Sequence, residues 1–371
     1  MDKTFLIFGK AIRINSHDRL ISDILEKELS IYPSASELEV SILIDHVYKV
    51  DNSGSLSSNP SIHFLTKNGF IYGMGPVVAR FYFDAGKVNH VQFSIQPSGF
   101  VMRTLRKWMN IQFTSHKEAV GQWLHEHILV PLAFTDPELS VIHASAVQTN
   151  KGKTLVFGGT GGVGKTSLEI TLCRNEDCSF IADDICIMDK EGSVYPNLAY
   201  PKIYAYNIEG NHAVKKAIFK GRGAADKIHF KLHELRGKKF IRRRISPEIF
   251  YGKTINTKSP KASFFILFRD QSAEITFEKI TTKKAAYLNA LVISREYNGF
   301  FDHLVWNEYN AIGTEADLNL SYEKVIERGT KVLESGLSVM DECWLVRIPS
   351  TIAHTDYQTQ MVKRLKEMDL V

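Results

Sequence analysis

Long hydrophobic runs are missing from this sequence, and glycine and proline are scarce. No stretch approaches the roughly 18 uncharged apolar residues of a membrane-spanning helix, so we expect no segment to cross a bilayer. The 24 glycines and 11 prolines make up less than a tenth of the 371 residues. With 44% hydrophobic and 23% charged residues, this composition excludes collagen-like and disordered chains and is typical of a globular protein of about two domains.

Cysteine is also rare, and a secretory signal is not visible. The four cysteines include no CxxC pair, which excludes a disulfide framework and a cysteine-based zinc site. We therefore expect buried, reduced thiols. The first residues, Met1-Asp2-Lys3 and a short apolar stretch at 5–8, lack the basic region and long apolar core of a signal peptide. These features predict a cytoplasmic location.

The net charge of +5 is distributed unevenly along the chain. Twelve lysines and arginines and only two acidic residues lie within residues 214–244, so this segment carries +10 and the rest of the chain −5. Such a segment is either a solvated loop or a basic lid or docking surface for phosphates or an acidic acceptor. Nucleic acid is disfavoured as a partner because no aromatic residues are interleaved at stacking intervals.

Hydrophobic periodicity divides the chain into three parts. Residues 1–116 combine an amphipathic helix at 18–29 with strands, including a hairpin from 61–66 to 70–74 across Asn68-Gly69 and another from 78–83 to 88–95. This pattern predicts a mainly antiparallel α+β module. Residues 117–138 have helical spacing and are predicted to form a connecting helix, and residues 139–371 are predicted to form an α/β domain.

The α/β domain begins with short apolar strands and a glycine-rich turn. The predicted order is strand 141–147, strand 154–157, the turn, a helix at 165–173 and a strand at 179–182. Later strands are predicted at 263–268, 275–280 and 343–348, and later helices at 283–296, 323–335 and 357–368.

The glycine-rich turn matches a phosphate-binding loop at every fixed position. Residues 159–166 read GTGGVGKT and follow the pattern GxxxxGK[ST] between a strand and a helix. Backbone amides of such a loop and the helix N-terminus bind phosphate oxygens, so ATP and Mg²⁺ are the predicted ligands. Lys165 is predicted to reach the β- and γ-phosphates, and the hydroxyl of Thr166 to bind Mg²⁺. The predicted nucleotide-binding residues are Gly159, Thr160, Gly161, Gly162, Val163, Gly164, Lys165, Thr166 and Ser167.

Two adjacent carboxylates follow the next hydrophobic strand. Asp183 and Asp184 come directly after the strand at 179–182, and strand ends of this kind gather at the ligand edge of an α/β sheet. One carboxylate suffices for a metal ion, and a second can accept the proton of an acceptor hydroxyl. The pair favours a kinase. A nucleotide-dependent regulatory protein without a phosphoacceptor and a sugar-type small-molecule kinase remain as alternatives.

These motifs together resemble a known family. The sequence HASAV at 143–147, the loop at 159–166 and Ala182-Asp183-Asp184 resemble the catalytic domain of bacterial HPr kinase/phosphorylase and its relatives, which group with the P-loop of phosphoenolpyruvate carboxykinase. The resemblance covers residues 139–190 clearly and extends faintly to about 350. It leaves the first 115 residues uncovered. It implies a P-loop kinase core of this type that phosphorylates a serine on a peptide or protein.

The resemblance also implies roles for individual residues. His143 would lie near the phosphates, Asp183 would be the base that activates the acceptor, and Asp184 would support the Mg²⁺ site. Glu234-Leu235-Arg236-Gly237 resembles a later element of the family, in which Glu234 would assist the metal and Arg236 the transferred phosphoryl group.

The chain departs from the family after this element. Lys-Lys-Phe follows at 238–240 where the family has a Leu-Gly turn, so the resemblance supports a kinase and not the phosphorylase reaction or HPr recognition. The N-terminal module has no counterpart in the family. It is a candidate for acceptor recognition or homo-oligomerisation, and its residues do not separate the two.

Overall fold

The computed structural model describes residues 1–57, 63–96, 109, 116–208, 212–260, 262–340 and 342–371. This part of the chain is a mixed α/β protein with sheets of seven, six, three and two strands. The α/β class predicted from the sequence is therefore confirmed. All four cysteines are free and buried, also as predicted. Within the described residues, none of the helices has both the length and the apolar composition that crossing a bilayer requires.

The first sheet contains the strands before residue 96. They are β1 (Asp2–Ile7), β2 (Lys10–Ser16), β3 (Ile42–His46), β4 (Phe64–Thr66), β5 (Gly69–Met74), β6 (Val77–Asp84) and β7 (Lys87–Ile95). Their order in the sheet is β1-β2-β3-β7-β6-β5-β4. The pairs β2–β3 and β3–β7 are parallel and the other pairs are antiparallel, so the sheet is mixed and mainly antiparallel.

The predicted position of the turn in the first hairpin was wrong by one residue. Thr66 pairs with Gly69, so the two turn residues are Lys67 and Asn68 instead of Asn68-Gly69. Gly69 lies in the strand at φ +152°, and a Cβ there would be 1.9 Å from the carbonyl oxygen of Phe81. Glycine is thus required by close approach of the neighbouring strand and not by a type I′ turn. Residues 61 and 62 of the predicted strand lie outside the described residues.

Helix α1 (Arg19–Leu29) confirms the amphipathic helix predicted at 18–29. Asp18 is its N-cap, and the carboxylate accepts a hydrogen bond of 2.9 Å from the amide of Ile21. The same helix carries Glu28, which is only 5% exposed. Glu28 forms a buried ion pair with Arg244, and the Arg244 guanidinium also donates to the carbonyl of Glu118 at 2.6 Å. This ion pair connects α1 to the second half of the chain.

Replacing Glu28 by Ala is expected to lower the free energy of unfolding by about 3–5 kcal/mol, because the Arg244 charge would stay buried without its partner. Urea unfolding measures this change. Glu26→Ala is the matched control on the same helix: its carboxylate pairs with Lys3 at a half-exposed position, and exposed pairs contribute at most about 1 kcal/mol. Equal losses in both variants would contradict a structural role for the buried pair.

The connecting helix is present with a local irregularity. It consists of α2 (His116–Leu124), a π-helical turn (His125–Leu129) and α3 (Val130–Thr135), close to the range predicted. A π-turn adds one residue per turn and changes the direction of the side chains within it. Glu126 lies in this turn and reaches the site described below.

The second half of the chain contains the remaining sheets. Its strands are β8 (Leu139–Ile142), β9 (Ala144–Gln148), β10 (Thr154–Gly158), β11 (Ser179–Ala182), β12 (Cys186–Asp189), β13 (Val194–Tyr195), β14 (Lys202–Tyr204), β15 (Arg242–Arg244), β16 (Ala262–Asp270), β17 (Thr276–Lys279) and β18 (Cys343–Pro349). The six-stranded sheet has the order β11-β9-β10-β16-β18-β17, with parallel pairs β10–β16 and β16–β18. The smaller sheets are β13-β12-β8 and β14-β15.

The described residues of this half contain all four of the predicted helices and four others. The helices are α4 (Lys165–Asn175), α5 (His212–Ile218), α6 (Ala224–Glu234), α7 (Pro247–Tyr251), α8 (Thr282–Glu296), α9 (Asn298–Gly313), α10 (Tyr322–Ser338) and α11 (His354–Glu367). Helices α4, α8, α10 and α11 confirm predicted helices within a few residues. Helices α5, α6, α7 and α9 were not predicted. In α9, exposed apolar residues such as Trp306 and Tyr309 accompany the buried ones and obscure the apolar stripe.

One predicted strand is in fact two. The apolar run predicted at 141–147 breaks at His143, so that β8 pairs in the three-stranded sheet and β9 in the six-stranded sheet. The change of sheet places His143 at the junction, beside the end of β10. Unbroken hydrophobicity cannot reveal this break, because both strands are buried.

The basic segment 214–244 is not simply a solvated loop. It forms α5, α6 and β15, with Val214 and Phe230 in the core. Arg243 is fully buried and pairs with Asp226 at 2.9 Å. Two residues of the Arg-Arg-Arg run, Arg243 and Arg244, therefore have structural roles, whereas many of the lysines remain exposed.

Candidate functional site

The phosphate loop curls between the end of β10 and the start of α4. Gly159 and Gly164 have φ of +134° and +114°, and close contacts exclude any side chain at either position. A Cβ on Gly159 would lie 2.5 Å from the carbonyl of Leu267, and one on Gly164 would lie 2.6 Å from the ring of Tyr357. These glycines let the chain turn into α4, whose N-cap, Gly164, makes no side-chain capping hydrogen bond. The first amides of α4 are thus left for an anion.

Lys165 lies inside the curl of the loop. Its Nζ donates to the carbonyl oxygens of Gly159 and Thr160 at 2.9 and 3.0 Å, and the residue is only 6% exposed. Burial lowers the pKa of Lys165, although the charges of Asp184 and Asp183 oppose this shift. The loop therefore holds a poorly hydrated cation at the place where phosphate oxygens would bind.

Asp183 binds the hydroxyl of the loop threonine. Its Oδ1 accepts hydrogen bonds from Thr166 Oγ1 at 2.8 Å and from Ser145 Oγ at 3.1 Å. Burial and the adjacent charge of Asp184 raise the pKa of Asp183. In a P-loop protein the threonine hydroxyl and one strand-end carboxylate hold Mg²⁺ together, and this pair has that arrangement.

Asp184 has different surroundings from its neighbour. Its backbone is left-handed, with φ +69°, and its side chain is 51% exposed. The carboxylate contacts His143 Nε2 at 3.0 Å and Lys202 Nζ at 3.5 Å. Enclosure by the protein raises its pKa, but Lys202 and His143 outweigh this and hold the pKa of Asp184 well below the usual range. The site thus presents one ionised carboxylate to solvent beside the loop.

His143 connects the loop to this carboxylate. Its Nδ1 lies 2.7 Å from the carbonyl oxygen of Gly159 and its Nε2 faces Asp184. Both partners are acceptors, so both contacts are hydrogen bonds only when the ring carries two protons. The backbone amide of His143 donates to Asn289 on α8 at 3.2 Å. The strand break at this position therefore sets the imidazole ring between the loop and Asp184.

Lys202 is a site residue that the sequence did not identify. Located on β14, it bridges Asp184 and Glu126 of the π-turn; the second contact is 2.5 Å long. Burial lowers its pKa, but the charges of Glu126 and Asp184 dominate and raise the pKa of Lys202 above the ordinary value. No motif signals this residue, because its partners come from distant parts of the chain.

Glu169 is a second residue that the sequence did not identify. It lies fully buried on α4 and accepts a hydrogen bond from the hydroxyl of Tyr251. Burial and the charge of Asp183 raise the pKa of Glu169 well above the usual value. A glutamate among the apolar residues that follow the loop is the one sequence signal that could have drawn attention to it.

The structure does not bring Glu234 and Arg236 to this site through any described contact. Glu234 ends α6 and Arg236 lies in the exposed turn after it. Within the described residues, neither side chain forms a hydrogen bond or ion pair with the phosphate loop or the acidic pair. Their roles in metal binding and phosphoryl transfer remain predictions, whereas Lys202 and His143 contact Asp184.

The donor set around Thr166 fits Mg²⁺ bound together with a nucleotide. The described residues contain no group of three or more His, Cys, Asp or Glu side chains placed to hold a metal ion alone. Mg²⁺ at nucleotide sites usually takes one or two carboxylates and completes its shell with substrate phosphates and water. Thr166 and Asp183, 2.8 Å apart, would hold the ion in this way.

Two sequence comparisons find no match for this chain. No protein-family model matches it, and no curated protein matches its sequence. What the site can do is therefore inferred from its geometry and its residues.

Proposed function

We propose that this protein is a Mg·ATP-dependent kinase with a P-loop core of the HPr kinase and phosphoenolpyruvate carboxykinase type. The observation that supports it best is the division of the acidic pair into two environments. Asp183 is buried against the hydroxyl of Thr166, whereas Asp184 is half-exposed beside the loop. A protein that only hydrolyses ATP or responds to its binding needs one such carboxylate.

These contacts favour roles for Asp183 and Asp184 that are the reverse of those that the family resemblance implies. Asp183 joins Thr166 as the magnesium-binding pair, because its Oδ1 accepts the threonine hydrogen bond. Asp184 is the base, because its carboxylate is ionised and open to an acceptor hydroxyl. His143 and Lys202 orient this carboxylate through its two oxygens. Bound Mg²⁺ supplies charge neutralisation for the phosphates.

The remaining residues bind and position the nucleotide. Loop amides and the N-terminus of α4 bind phosphate oxygens, and Lys165 leaves the carbonyls of Gly159 and Thr160 to donate to the β- and γ-phosphates. Asp184 accepts the proton as the acceptor oxygen attacks the γ-phosphorus in line and ADP leaves. The products are a phosphomonoester and ADP. The resemblance favours a serine of a peptide or protein as acceptor, with a sugar-type hydroxyl as the alternative.

A transfer assay tests this proposal directly. The purified protein is incubated with γ-³²P-labelled ATP, Mg²⁺ and pools of serine- and threonine-containing peptides or hydroxylated small molecules. Label in a peptide or small molecule supports the kinase and identifies the acceptor class. Steady release of labelled phosphate with no labelled acceptor in any pool or in a cell extract would instead indicate a nucleotide-dependent switch.

A further inference from the structure

A groove of about 690 Å³ opens beside the phosphate loop. One wall is the outer side of α4, the second is one side of α11 along its length from His354 to Glu367, and the third is the segment with Tyr206 and Asn207. The mechanism proposed above does not use it. Its volume is in the range of small-molecule sites and exceeds that of a single nucleoside.

Ser167, the residue after the magnesium-binding threonine, joins the three walls. Its Oγ accepts from Asn207 Nδ2 at 3.0 Å and contacts His354 Nε2 at 2.8 Å. Its carbonyl accepts from Gln358 Nε2 at 3.0 Å. These hydrogen bonds fix the top of the groove at the end of the phosphate loop.

The direction of the loop determines which part of a nucleotide would meet this groove. Lys165 reaches the β- and γ-phosphates, so the α-phosphate lies toward the start of α4. The sugar and base then continue past Ser167 into the groove. His354 supports this placement, because it opens α11 just after β18, a strand parallel to its neighbour β16, and ligands gather at the carboxyl ends of such strands.

The groove also has a flat aromatic surface. The ring of Tyr206 is partly exposed and stacks on Tyr204, with centroids 5.3 Å apart and planes at 18°. The Arg242 guanidinium lies over Tyr204 at 5.1 Å, and His354 stands edge-on to Tyr206 at 6.3 Å. The stack holds Tyr206 in one orientation at the groove. A planar heterocycle is the ligand that such a surface takes best.

We propose that this groove is the nucleoside subsite, in which the base stacks on Tyr206 and the sugar lies beside Ser167 and His354. The inference rests on the proposed nucleotide site and adds to it the residues that bind the nucleoside. It also makes α11, near the end of the described chain, a part of the nucleotide site.

The test compares ATP with inorganic tripolyphosphate, which has the phosphates and lacks the nucleoside. Titration calorimetry with Mg²⁺ measures both affinities for the wild type and for Tyr206→Ala. We expect ATP affinity to fall on the order of tenfold, the loss typical of one base–aromatic stack, and tripolyphosphate affinity to stay unchanged. Tyr206→Phe should restore ATP binding, because it keeps the ring.

A second variant guards against misfolding of the first. Thr355 is an exposed residue of the groove wall, and Thr355→Trp should obstruct the groove without disturbing the core. It should likewise weaken ATP and spare tripolyphosphate. If both variants keep wild-type ATP affinity, or lose both ligands equally while remaining folded by circular dichroism, the subsite is wrong and the kinase proposal stands. Wild-type protein that binds neither ligand would overturn both proposals.

Discussion

Asp184→Asn is expected to lower the rate of phosphoryl transfer by about 10²- to 10⁴-fold, the usual contribution of a positioned base, and to leave Mg·ATP affinity within a few-fold. The reason is that Asp184 faces solvent and contacts His143 and Lys202, whereas the hydroxyl of Thr166 donates to Asp183. Asparagine keeps the shape and one acceptor oxygen, which can serve one of these two contacts, but it cannot take a proton. Transfer of labelled phosphate and titration calorimetry measure the two quantities.

Asp183→Asn is compared with Asp184→Asn, and a third variant controls for the replacement of a buried carboxylate by an amide. If Asp183 shares Mg²⁺ with Thr166, its amide variant should weaken ATP binding chiefly when Mg²⁺ is present. Asp189→Asn replaces an equally buried carboxylate, which accepts hydrogen bonds from the amide of Ser193 and the hydroxyl of Tyr195. This variant should change neither the rate of phosphoryl transfer nor the affinity for Mg·ATP. Loss of transfer with intact Mg·ATP binding in Asp183→Asn alone would instead restore the roles implied by the family resemblance.

The sequence predicted the parts of the site that are local along the chain. The phosphate loop, the strand at 179–182 and the adjacent acids are continuous segments, and their positions follow from hydrophobic periodicity and a fixed glycine pattern. Their mutual contacts, such as Thr166 with Asp183, follow because β10 and β11 end at one edge with only β9 between them. The α/β class was predictable for the same reason.

The parts that the sequence did not predict depend on contacts between distant segments. Lys202 reaches Asp184 because β14 and the π-turn with Glu126 converge there, and neither segment has a motif. The break at His143 is hidden in an apolar run, and the basic segment gave no sign that Arg243 would be buried against Asp226. Charge along the sequence reports composition, whereas burial depends on tertiary packing.

Lys165→Met is expected to weaken Mg·ATP binding on the order of 10- to 100-fold, because charge-assisted hydrogen bonds to phosphate contribute about 1.5–3 kcal/mol. Transfer and any ATP hydrolysis should both fall. Methionine keeps most of the packing of the buried stem and removes the charge. Titration calorimetry with Mg·ATP and the labelled transfer assay measure these losses.

The free energy of unfolding of Lys165→Met should respond differently from its affinity for Mg·ATP. This difference distinguishes a lysine that binds phosphate from one that only supports the fold. Burial lowers the pKa of Lys165, which means that the folded protein disfavours its charged form at neutral pH. Removing the charge should therefore leave the free energy of unfolding unchanged or raise it. Lys253→Met, at an exposed lysine paired with Asp177 at 2.6 Å, should affect neither binding nor activity. A Lys165→Met protein that binds Mg·ATP as the wild type does would refute the phosphate site, whereas one that loses binding only because it unfolds would show that the cation supports the fold.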